Sequence, residues 1–260
     1  MMRQDAYAIV TGGNSGIGLE YTRQLAAMGY NILIVSNEET ALQLADELSA
    51  EFPDRHLRAL VMNLARVEAA GELHSYCCEQ GLDVEVLVNN AGVYHNCDFL
   101  EDSEAYNSTI MLLHVYTPTM LIYRFAKDME AAGGGYILNM GSVTSSFPVQ
   151  RIGIYCSTKA YLKGISRSLH VELKARNVSV TCVRPGAVAT SLYNLGPFVR
   201  KLGLTLGFIM TPERLARKGL RAMFRKRSCV TPGFYAKLLN VLVPLIPVGG
   251  LKLIRKWRIY

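Results

Sequence analysis

Three side chains in the second half of the chain could carry out redox chemistry on a carbonyl group. Tyr155 and Lys159 are four residues apart, so on a helix they share one face, and Ser142 comes thirteen residues before the tyrosine. The lysine charge would favour the tyrosinate and lower a phenol pKa that is normally about 10. Tyrosine could then serve as acid and base for a ketone or alcohol. Because this spacing also occurs on many solvated helix faces, the triplet needs support from the rest of the sequence.

An apolar run and a glycine-rich turn would position these groups. Residues 136–140 predict a buried strand that ends just before Ser142, where a hydroxyl can donate to a substrate oxygen. Residues 7–10 predict another strand, residues 11–18 have the sequence Thr-Gly-Gly-Asn-Ser-Gly-Ile-Gly, and residues 19–28 have helical spacing. These glycines permit a tight turn and close approach of a pyrophosphate, while the N–H groups of the new helix face the phosphates. A glycine turn can be only a turn, but its place between strand and helix predicts a dinucleotide site.

Five motifs stand in the order and spacing of one protein family. They are the Thr-Gly-x-x-x-Gly-x-Gly turn, the Asn-Asn-Ala-Gly segment at residues 89–92, Ser142, the Tyr-x-x-x-Lys pair, and Pro185-Gly186. On these motifs, roughly residues 5–195 resemble the short-chain dehydrogenase/reductases. Five motifs in register are far more specific than any one of them.

The resemblance implies a role for each motif. Tyr155 would donate or accept the proton, Lys159 would lower the tyrosine pKa and hold the nicotinamide ribose, and Ser142 would orient the carbonyl, with hydride coming from the nicotinamide. The implied cofactor-binding residues are Thr11, Gly12, Asn14, Ser15, Gly16, Ile17, Gly18, Ser36, Asn37, Asn63, Leu64, Asn90, Ala91, Gly92, Tyr155, Lys159, Pro185, Gly186, Val188 and Thr190.

One position departs from the family pattern. Where the family has a fourth catalytic residue, an asparagine, this chain has His114. Histidine can hydrogen-bond a relay water as asparagine does, which would make His114 catalytic. The alternative is a structural histidine whose hydrogen-bond partners lie within the protein. Asn107 is a weaker candidate for the missing asparagine.

Apolar, β-branched runs alternate with segments of helical spacing. The runs lie at residues 7–10, 31–36, 57–63, 84–89, 136–141 and 178–183, and a last strand is expected near 229–231. Alternation predicts parallel strands whose right-handed crossovers put helices on both faces of the sheet. We therefore expect an α/β fold: a single Rossmann-type doubly wound domain of about seven parallel strands. The resemblance implies the strand order 3-2-1-4-5-6-7.

The chain length of 260 residues suits one such domain, because no linker divides the sequence. We expect a catalytic domain over residues 1–235 with a substrate loop at about 190–212, followed by a basic, apolar tail over 236–260. By analogy with the family, helices near 103–132 and 154–175 would pair with a second subunit in a homodimer or homotetramer.

The end of the second strand bears on the choice between NADP(H) and NAD(H). In related sites an acidic residue there binds the ribose hydroxyls and repels a 2′-phosphate. Ser36 removes that repulsion, whereas Asn37 supplies no positive charge and Glu38 and Glu39 add negative charge nearby. We expect NADP(H) to be preferred, with NAD(H) as the alternative.

The cysteine pattern indicates neither a disulfide framework nor a metal centre. The six cysteines lack paired C-x-x-C spacing and no secretory signal precedes the first strand, which predicts reduced thiols in the cytoplasm. His95 and Cys97 are two candidate ligands, but no second pair completes a tetrahedral set. We expect no metal.

Positive charge is concentrated at the C-terminal end. Residues 200–260 hold 14 Lys and Arg and one acid, net +13, whereas residues 1–199 are net −6. The tail favours an anionic membrane surface, since its apolar segment of about fourteen residues is shorter than the ~20 needed to span a bilayer. Packing of the tail on the domain or on a second subunit is the alternative. Nucleic acid is not expected as a partner, because no recognition module accompanies the charge.

The segment from Leu192 to Met210 is apolar and lies where the family has its substrate loop. Few acids or acceptors are present to hold a polyol, so we expect a lipophilic ketone. The chain resembles the lipid-acting members of the family: 3-ketoacyl-CoA reductases, 3-ketodihydrosphingosine reductases and hydroxysteroid dehydrogenases. A different class remains open, namely a non-catalytic, nucleotide-sensing scaffold attached to a membrane surface; the complete Ser-Tyr-Lys triplet argues against it.

Overall fold

Seven parallel strands form one sheet in the computed structural model, which describes residue 3 and residues 5–190 and 197–245. The strands are β1 (Tyr7–Thr11), β2 (Asn31–Ser36), β3 (Leu57–Val61), β4 (Val84–Asn89), β5 (Gly135–Met140), β6 (Val178–Val183) and β7 (Cys229–Val230). Their order is β3-β2-β1-β4-β5-β6-β7, and all neighbours are parallel. The expected α/β, Rossmann-type fold and its strand order are confirmed. β3 ends two residues earlier than predicted, and β7 is short because only Cys229 and Val230 pair with β6.

Helices connect the strands and cover both faces of the sheet. They are α1 (Gly16–Ala27), α2 (Thr40–Glu51), α3 (Ala69–Glu79), α4 (Glu104–Met111), α5 (Thr117–Ala131), α6 (Gly153–Glu172), α7 (Pro197–Thr205), α8 (Pro212–Phe224) and α9 (Phe234–Leu242). The helical region predicted at 103–132 is not continuous, because a π-helical turn at Leu112–Tyr116 separates α4 from α5. The helix predicted at 154–175 consists of α6 and a 3₁₀ turn at Leu173–Arg176.

Alternate side chains of the central strands enter two separate cores. On one face Val10 and Ile34 pack with Tyr21 of α1, and this core also includes residues of α2 and α8. On the other face Ile9 packs with Phe125 of α5, together with residues of α3. Burial on both faces explains why the strands are continuously apolar in sequence rather than alternating.

The chain order reverses between β1 and β4, which lie side by side at the centre of the sheet. Crossovers on either side of this point lead to opposite faces, so a crevice opens at the carboxyl ends of the strands. The segments that follow β1, β2, β4 and β5 all begin at this edge. The glycine turn, Ser36, Asn90 and Ser142 therefore come together.

Helix α9, the last α-helix among the described residues, crosses the predicted boundary between catalytic domain and tail at residue 236. Ala236 is buried, and a Cβ placed on Gly186 would lie 3.2 Å from the Ala236 Cβ, so the start of this helix packs against the loop after β6. The division at 235/236 stays a prediction. Residues 191–196 of the substrate loop and 246–260 of the tail lie outside the described residues. No helix in the described ranges is long and apolar enough to cross a bilayer.

Candidate active site

Strand β5 and helix α6 bring Ser142, Tyr155 and Lys159 to the carboxyl edge of the sheet. Ser142 follows β5 and caps a 3₁₀ turn at Val143–Ser146, where its Oγ accepts hydrogen bonds from the Thr144 N–H at 3.2 Å and from the Thr144 hydroxyl at 2.9 Å. Because that oxygen acts as an acceptor in both bonds, its own proton can be donated outward. Tyr155 and Lys159 lie one turn apart on α6, and all three side chains are buried.

Lys159 is an ammonium held in a buried position. Its Nζ donates a hydrogen bond of 2.9 Å to the Met140 carbonyl and lies 5.5 Å from the centre of the Tyr155 ring. Burial lowers the pKa of Lys159 from 10.5 to about 8, because a charge without water around it is disfavoured. The group is therefore mostly charged at neutral pH and close to the point at which it loses its proton.

His114 lies in the π-helical turn and is almost fully buried. The Val93 N–H donates to its Nε2 at 3.0 Å, so Nε2 carries no proton and the neutral ring is protonated on Nδ1. Nδ1 lies 3.2 Å from the Thr158 hydroxyl, which in turn donates to the Tyr155 carbonyl at 2.8 Å. Burial, and then the nearby Lys159 charge, hold the pKa of His114 well below 6.5. Both ring nitrogens are thus engaged within the protein, a geometry that favours the structural alternative for His114 over contact with a relay water.

Two local features allow the His114 ring to reach the loop after β4. Pro118 lacks the N–H that would bond to the His114 carbonyl, and the helix widens at this point so that the Thr117 N–H bonds to the Leu112 carbonyl five residues back. A Cβ on Gly92 would lie 2.7 Å from the His114 Nε2, so only glycine permits this approach. The ring also packs edge-on against Tyr155, with centroids 5.8 Å apart.

A groove of about 360 Å³ runs from the glycine turn to Tyr155 and Lys159. Of the predicted cofactor-binding residues, those that line it are Gly12, Asn14, Ser15, Gly16, Ile17, Ser36, Asn37, Asn63, Leu64, Asn90, Ala91, Gly92, Tyr155, Lys159, Pro185, Val188 and Thr190. Thr11, Gly18 and Gly186 do not line the groove. Thr11 supports it, since its hydroxyl accepts from the N–H groups of Asn90 and Ala91 at 2.9 and 3.0 Å.

The groove also includes ten residues that were not predicted to bind cofactor. His114 was predicted as a catalytic candidate, and Glu38 was noted for its charge. The ten are Val35, Glu38, Met62, Ala65, Val93, Thr109, Leu113, His114, Met140 and Gly141. Most are neighbours of motif residues, so the strand ends could have located them. Thr109 on α4 and Leu113 in the π-helical turn carry no such signal, because neither follows a strand end. Asn107 lies on α4 and does not line the groove.

The groove fits a dinucleotide at its phosphate end. Gly12 and Gly16 have positive φ angles of 61° and 53°, which most side chains would strain. α1 begins here without a side-chain cap from Ser15, so its first N–H groups are available for an anion. The Thr190 hydroxyl beside this turn is buried and has no hydrogen-bond partner in the described part of the chain. A polar ligand would satisfy these donors.

Two groups of possible metal ligands occur among the described residues. His95, Cys97 and Asp102 form one, and His74, Cys78 and Asp128 form the other, with the ligand atoms of each group within 4.8 Å of one another. Each group has three ligands, one fewer than a structural tetrahedral zinc site requires. The expectation that the protein uses no metal stays a prediction.

Residues 6–195 match the family model described as short chain dehydrogenase, which covers more than two thirds of the chain. The chain belongs to the short chain dehydrogenase family. The membership predicted from the five motifs is therefore confirmed.

The curated relatives of this short chain dehydrogenase include proteins named for lipid substrates. A very-long-chain 3-oxoacyl-CoA reductase of Eremothecium gossypii is 33% identical over 238 residues, covering 86% of this chain and 64% of that protein. A very-long-chain 3-oxoacyl-CoA reductase-like protein of Arabidopsis thaliana is 28% identical, covering 100% and 82%. The chain thus spans less than two thirds of the length of the first of these. The expected similarity to lipid-acting members holds.

Solved structures share the fold over nearly the whole chain. A short-chain dehydrogenase from Sphingobium yanoikuyae in complex with NADPH is 25% identical with a TM-score of 0.78, covering 98% of this chain and 96% of that one. L-sorbose reductase from Gluconobacter frateurii, complexed with NADPH and L-sorbose, has a TM-score of 0.77 at 24% identity, covering 88% and 95%.

Proposed function

We propose that this protein is an oxidoreductase that interconverts a ketone and a secondary alcohol on a lipophilic substrate, with NADP(H) as cofactor. The observation that supports this most directly is that Tyr155 and Lys159 line the same groove as the glycine turn, with Ser142 at the adjacent strand end. A phenol able to exchange a proton and a wall suited to dinucleotide phosphates therefore face one space.

In the reducing direction, the ketone oxygen would accept hydrogen bonds from the hydroxyls of Ser142 and Tyr155. When bound, the nicotinamide supplies the hydride to the carbonyl carbon. Tyr155 passes its proton to the oxygen as negative charge develops there, and the Lys159 ammonium stabilises the phenolate that remains. Oxidation follows the same path in reverse.

The Tyr155→Phe variant tests the proton transfer. We expect turnover to fall by at least ~100-fold while the Kd for NADPH stays nearly unchanged, because the general acid is lost but the groove is not. Tyr161→Phe is a matched control: Tyr161 lies on the same helix, and its hydroxyl is 3.0 Å from the Thr119 hydroxyl on α5. Near-normal turnover in Tyr155→Phe would refute the assignment, and cofactor binding without oxidation by any ketone would favour the nucleotide-sensing scaffold.

Preference for NADP(H) is supported by the absence of an acid at Ser36 and by the NADPH found with the Sphingobium relative. Glu38 acts against it, since its carboxylate lies near the same end of the groove and accepts a 2.8 Å hydrogen bond from the Asn14 amide. Michaelis constants for NADPH and NADH decide between the two cofactors. A tenfold preference for NADH would overturn this part of the proposal.

A lipophilic substrate is supported by the names of the relatives and by the segment after α7. Leu206 and Phe208 are about half exposed there, and Met210 pairs with Val188 on the groove wall, so the apolar segment reaches the site. Candidates are 3-keto lipids, 3-keto sphingoid bases and ketosteroids. Oxidation of NADPH with a panel of these compounds and small polar ketones tests the class, and faster turnover of the polar ketones would contradict it.

We further propose that the protein attaches peripherally to an anionic membrane surface on its cytosolic side. The described part of α9 presents exposed apolar side chains next to Lys237, among them Phe234 and Val241, which are 73% and 64% exposed. Cosedimentation with vesicles containing phosphatidylserine, compared with neutral vesicles, tests this; recovery in the supernatant with both would refute it.

Exposed Tyr123 of α5 and Val171 of α6 support a homodimer or homotetramer, which light scattering can test.

A further inference from the structure

The end of β6 holds a positive cluster that the proposed reaction does not use. Arg184 is buried, and its guanidinium donates to the Ser146 hydroxyl at 3.0 Å, contacts the Cys229 sulfur at 3.9 Å and bonds to the Asn240 side chain. The Lys163 ammonium donates to the same Ser146 oxygen at 3.0 Å. Among the described residues, neither Arg184 nor Lys163 forms a salt bridge with a carboxylate. Two cations therefore share this region without an acidic partner.

Cys229 is the group in this cluster that can supply negative charge. It stands opposite Cys182 in the register of β6 and β7, and it is partly exposed, whereas Cys182 is fully buried. The hydrogen bond from the Cys182 thiol, followed by the charge of Arg184, lowers the pKa of Cys229 in spite of its partial burial. The same hydrogen bond raises the pKa of Cys182. Of the two thiols, Cys229 is the one that a reagent can reach, and its sulfur lies 3.9 Å from the Arg184 guanidinium, which favours the thiolate form.

We propose that Cys229 is a covalent modification site at which small anionic disulfides form a mixed disulfide. The Cys229 thiolate attacks one sulfur of the reagent, a new S–S bond forms to the protein, and the other half of the reagent leaves as a thiolate. Cys229 sulfur is oxidised and the leaving half is reduced, with no proton transferred. The positive charges of Arg184 and Lys163 favour the approach of an anionic reagent.

Cys182 keeps its proton in this arrangement and is a poor nucleophile at neutral pH. The adduct on Cys229 should therefore persist rather than convert to an internal Cys182–Cys229 disulfide. Two other buried thiols are less reactive for a related reason: burial raises the pKa of Cys77 to about 12 and also raises that of Cys156.

The test compares the full-length protein with its Cys229→Ser and Cys78→Ser variants at neutral pH. The probes are the dianionic disulfide dithiobis(nitrobenzoate) and the neutral dithiodipyridine. We expect one fast-reacting thiol, at least ~5-fold faster than the exposed Cys78, that disappears only in Cys229→Ser. With one equivalent of probe, peptide mass analysis should find most of the adduct on Cys229. Equal rates in the wild type and Cys229→Ser, or Cys229 reacting no faster than Cys78, would overturn the proposal.

Removal of a nearby charge gives a second test that does not depend on the buried arginine. Lys163→Gln should slow the reaction of Cys229 with the dianionic probe by about 3-fold while changing the reaction with the neutral probe less. An equal effect on both probes would exclude charge recruitment by this cluster. Unchanged circular dichroism and Tm establish that the variant is folded.

Modification should also affect catalysis, because Arg184 holds Ser146 in the turn that begins at Ser142. The mixed disulfide puts a bulky group with its own negative charge beside Arg184, where it can compete with Ser146 for the guanidinium. We expect partial loss of ketone reduction that dithiothreitol reverses and that Cys229→Ser does not show. This readout rests on the proposed reductase function, whereas the labelling rates do not, so the two can fail separately. Full labelling with unchanged turnover would remove the link to catalysis.

Discussion

Replacing Lys159 by methionine should stabilise the folded protein even as it removes activity. Burial lowers the pKa of this lysine from 10.5 to about 8, a difference that corresponds to ~3 kcal/mol of unfavourable free energy for the charged form in the folded protein. Methionine has a similar length and no charge. The substitution also removes the hydrogen bond from the Lys159 Nζ to the Met140 carbonyl, which contributes about 1 kcal/mol to the free energy of unfolding. The net gain should be about 2 kcal/mol, or a rise of about 4–8 °C in Tm for a chain of this size.

The stability difference between Lys159→Met and the wild type should depend on pH, because it comes from the charge on Lys159. Below pH 8 the lysine is charged in both the folded and the unfolded protein, so the full cost of burying the charge is present. As pH rises from about 8 to 10.5, the folded protein releases the proton before the unfolded chain does, and the cost disappears. The advantage of Lys159→Met should therefore be largest near neutral pH and vanish in alkaline solution.

Chemical denaturation without cofactor, at neutral and alkaline pH, measures the difference directly. Lys163→Met is a matched control on the next turn of α6, since Lys163 is less buried and its pKa is lowered by a smaller effect. Turnover of Lys159→Met should fall to near background. A variant less stable than the wild type at neutral pH would show that the ammonium is better solvated or paired than its burial implies.

Three further predictions concern the residues around the groove. Gly18→Ala should lower the free energy of unfolding by at least ~1–3 kcal/mol and weaken cofactor binding, because the added Cβ would lie 1.9 Å from the Gly12 oxygen. Gly164→Ala is the control: a Cβ there would have no atom within 4 Å, so chemical denaturation should show unchanged or higher stability. The Tm of the wild type should fall between about pH 7 and 5, because His114 takes up a proton with a pKa of 6.5 in the unfolded chain but stays neutral when buried in the folded protein. His114→Gln should make this fall in Tm smaller. Ser36→Asp should shift the ratio of kcat/KM values towards NADH by at least ~10-fold.

Much of the fold follows from patterns that are visible in the sequence. The central strands β1, β2, β4, β5 and β6 are buried on both faces, which makes most of their residues apolar or small. Alternation of strands with helices then leaves few possible topologies. The break between α4 and α5 was not predicted, although Pro118 marks its place. Proline is common in the first turn of a helix, so the sequence does not distinguish a new helix from a widened turn within a continuous one.

The candidate site likewise has parts that the sequence predicts and parts that only the structure shows. The glycine turn and the Tyr155–Lys159 pair have fixed local spacing, and their neighbours in space are set by the order of parallel strands. The partners of His114 are not local: the Val93 N–H and the Thr158 hydroxyl come from two other segments, and only their packing shows that the ring is neutral. The burial that lowers the pKa of Lys159 likewise depends on the assembled sheet and helices.

The hydrogen bond between Arg184 and Asn240 ties α9 to the turn that follows Ser142, because Arg184 also binds Ser146. A chimera that takes α9 from a relative with a different residue at position 240 would leave a buried cation without one of its acceptors. Residues 146, 184 and 240 should therefore be exchanged together when C-terminal segments are swapped to alter substrate choice.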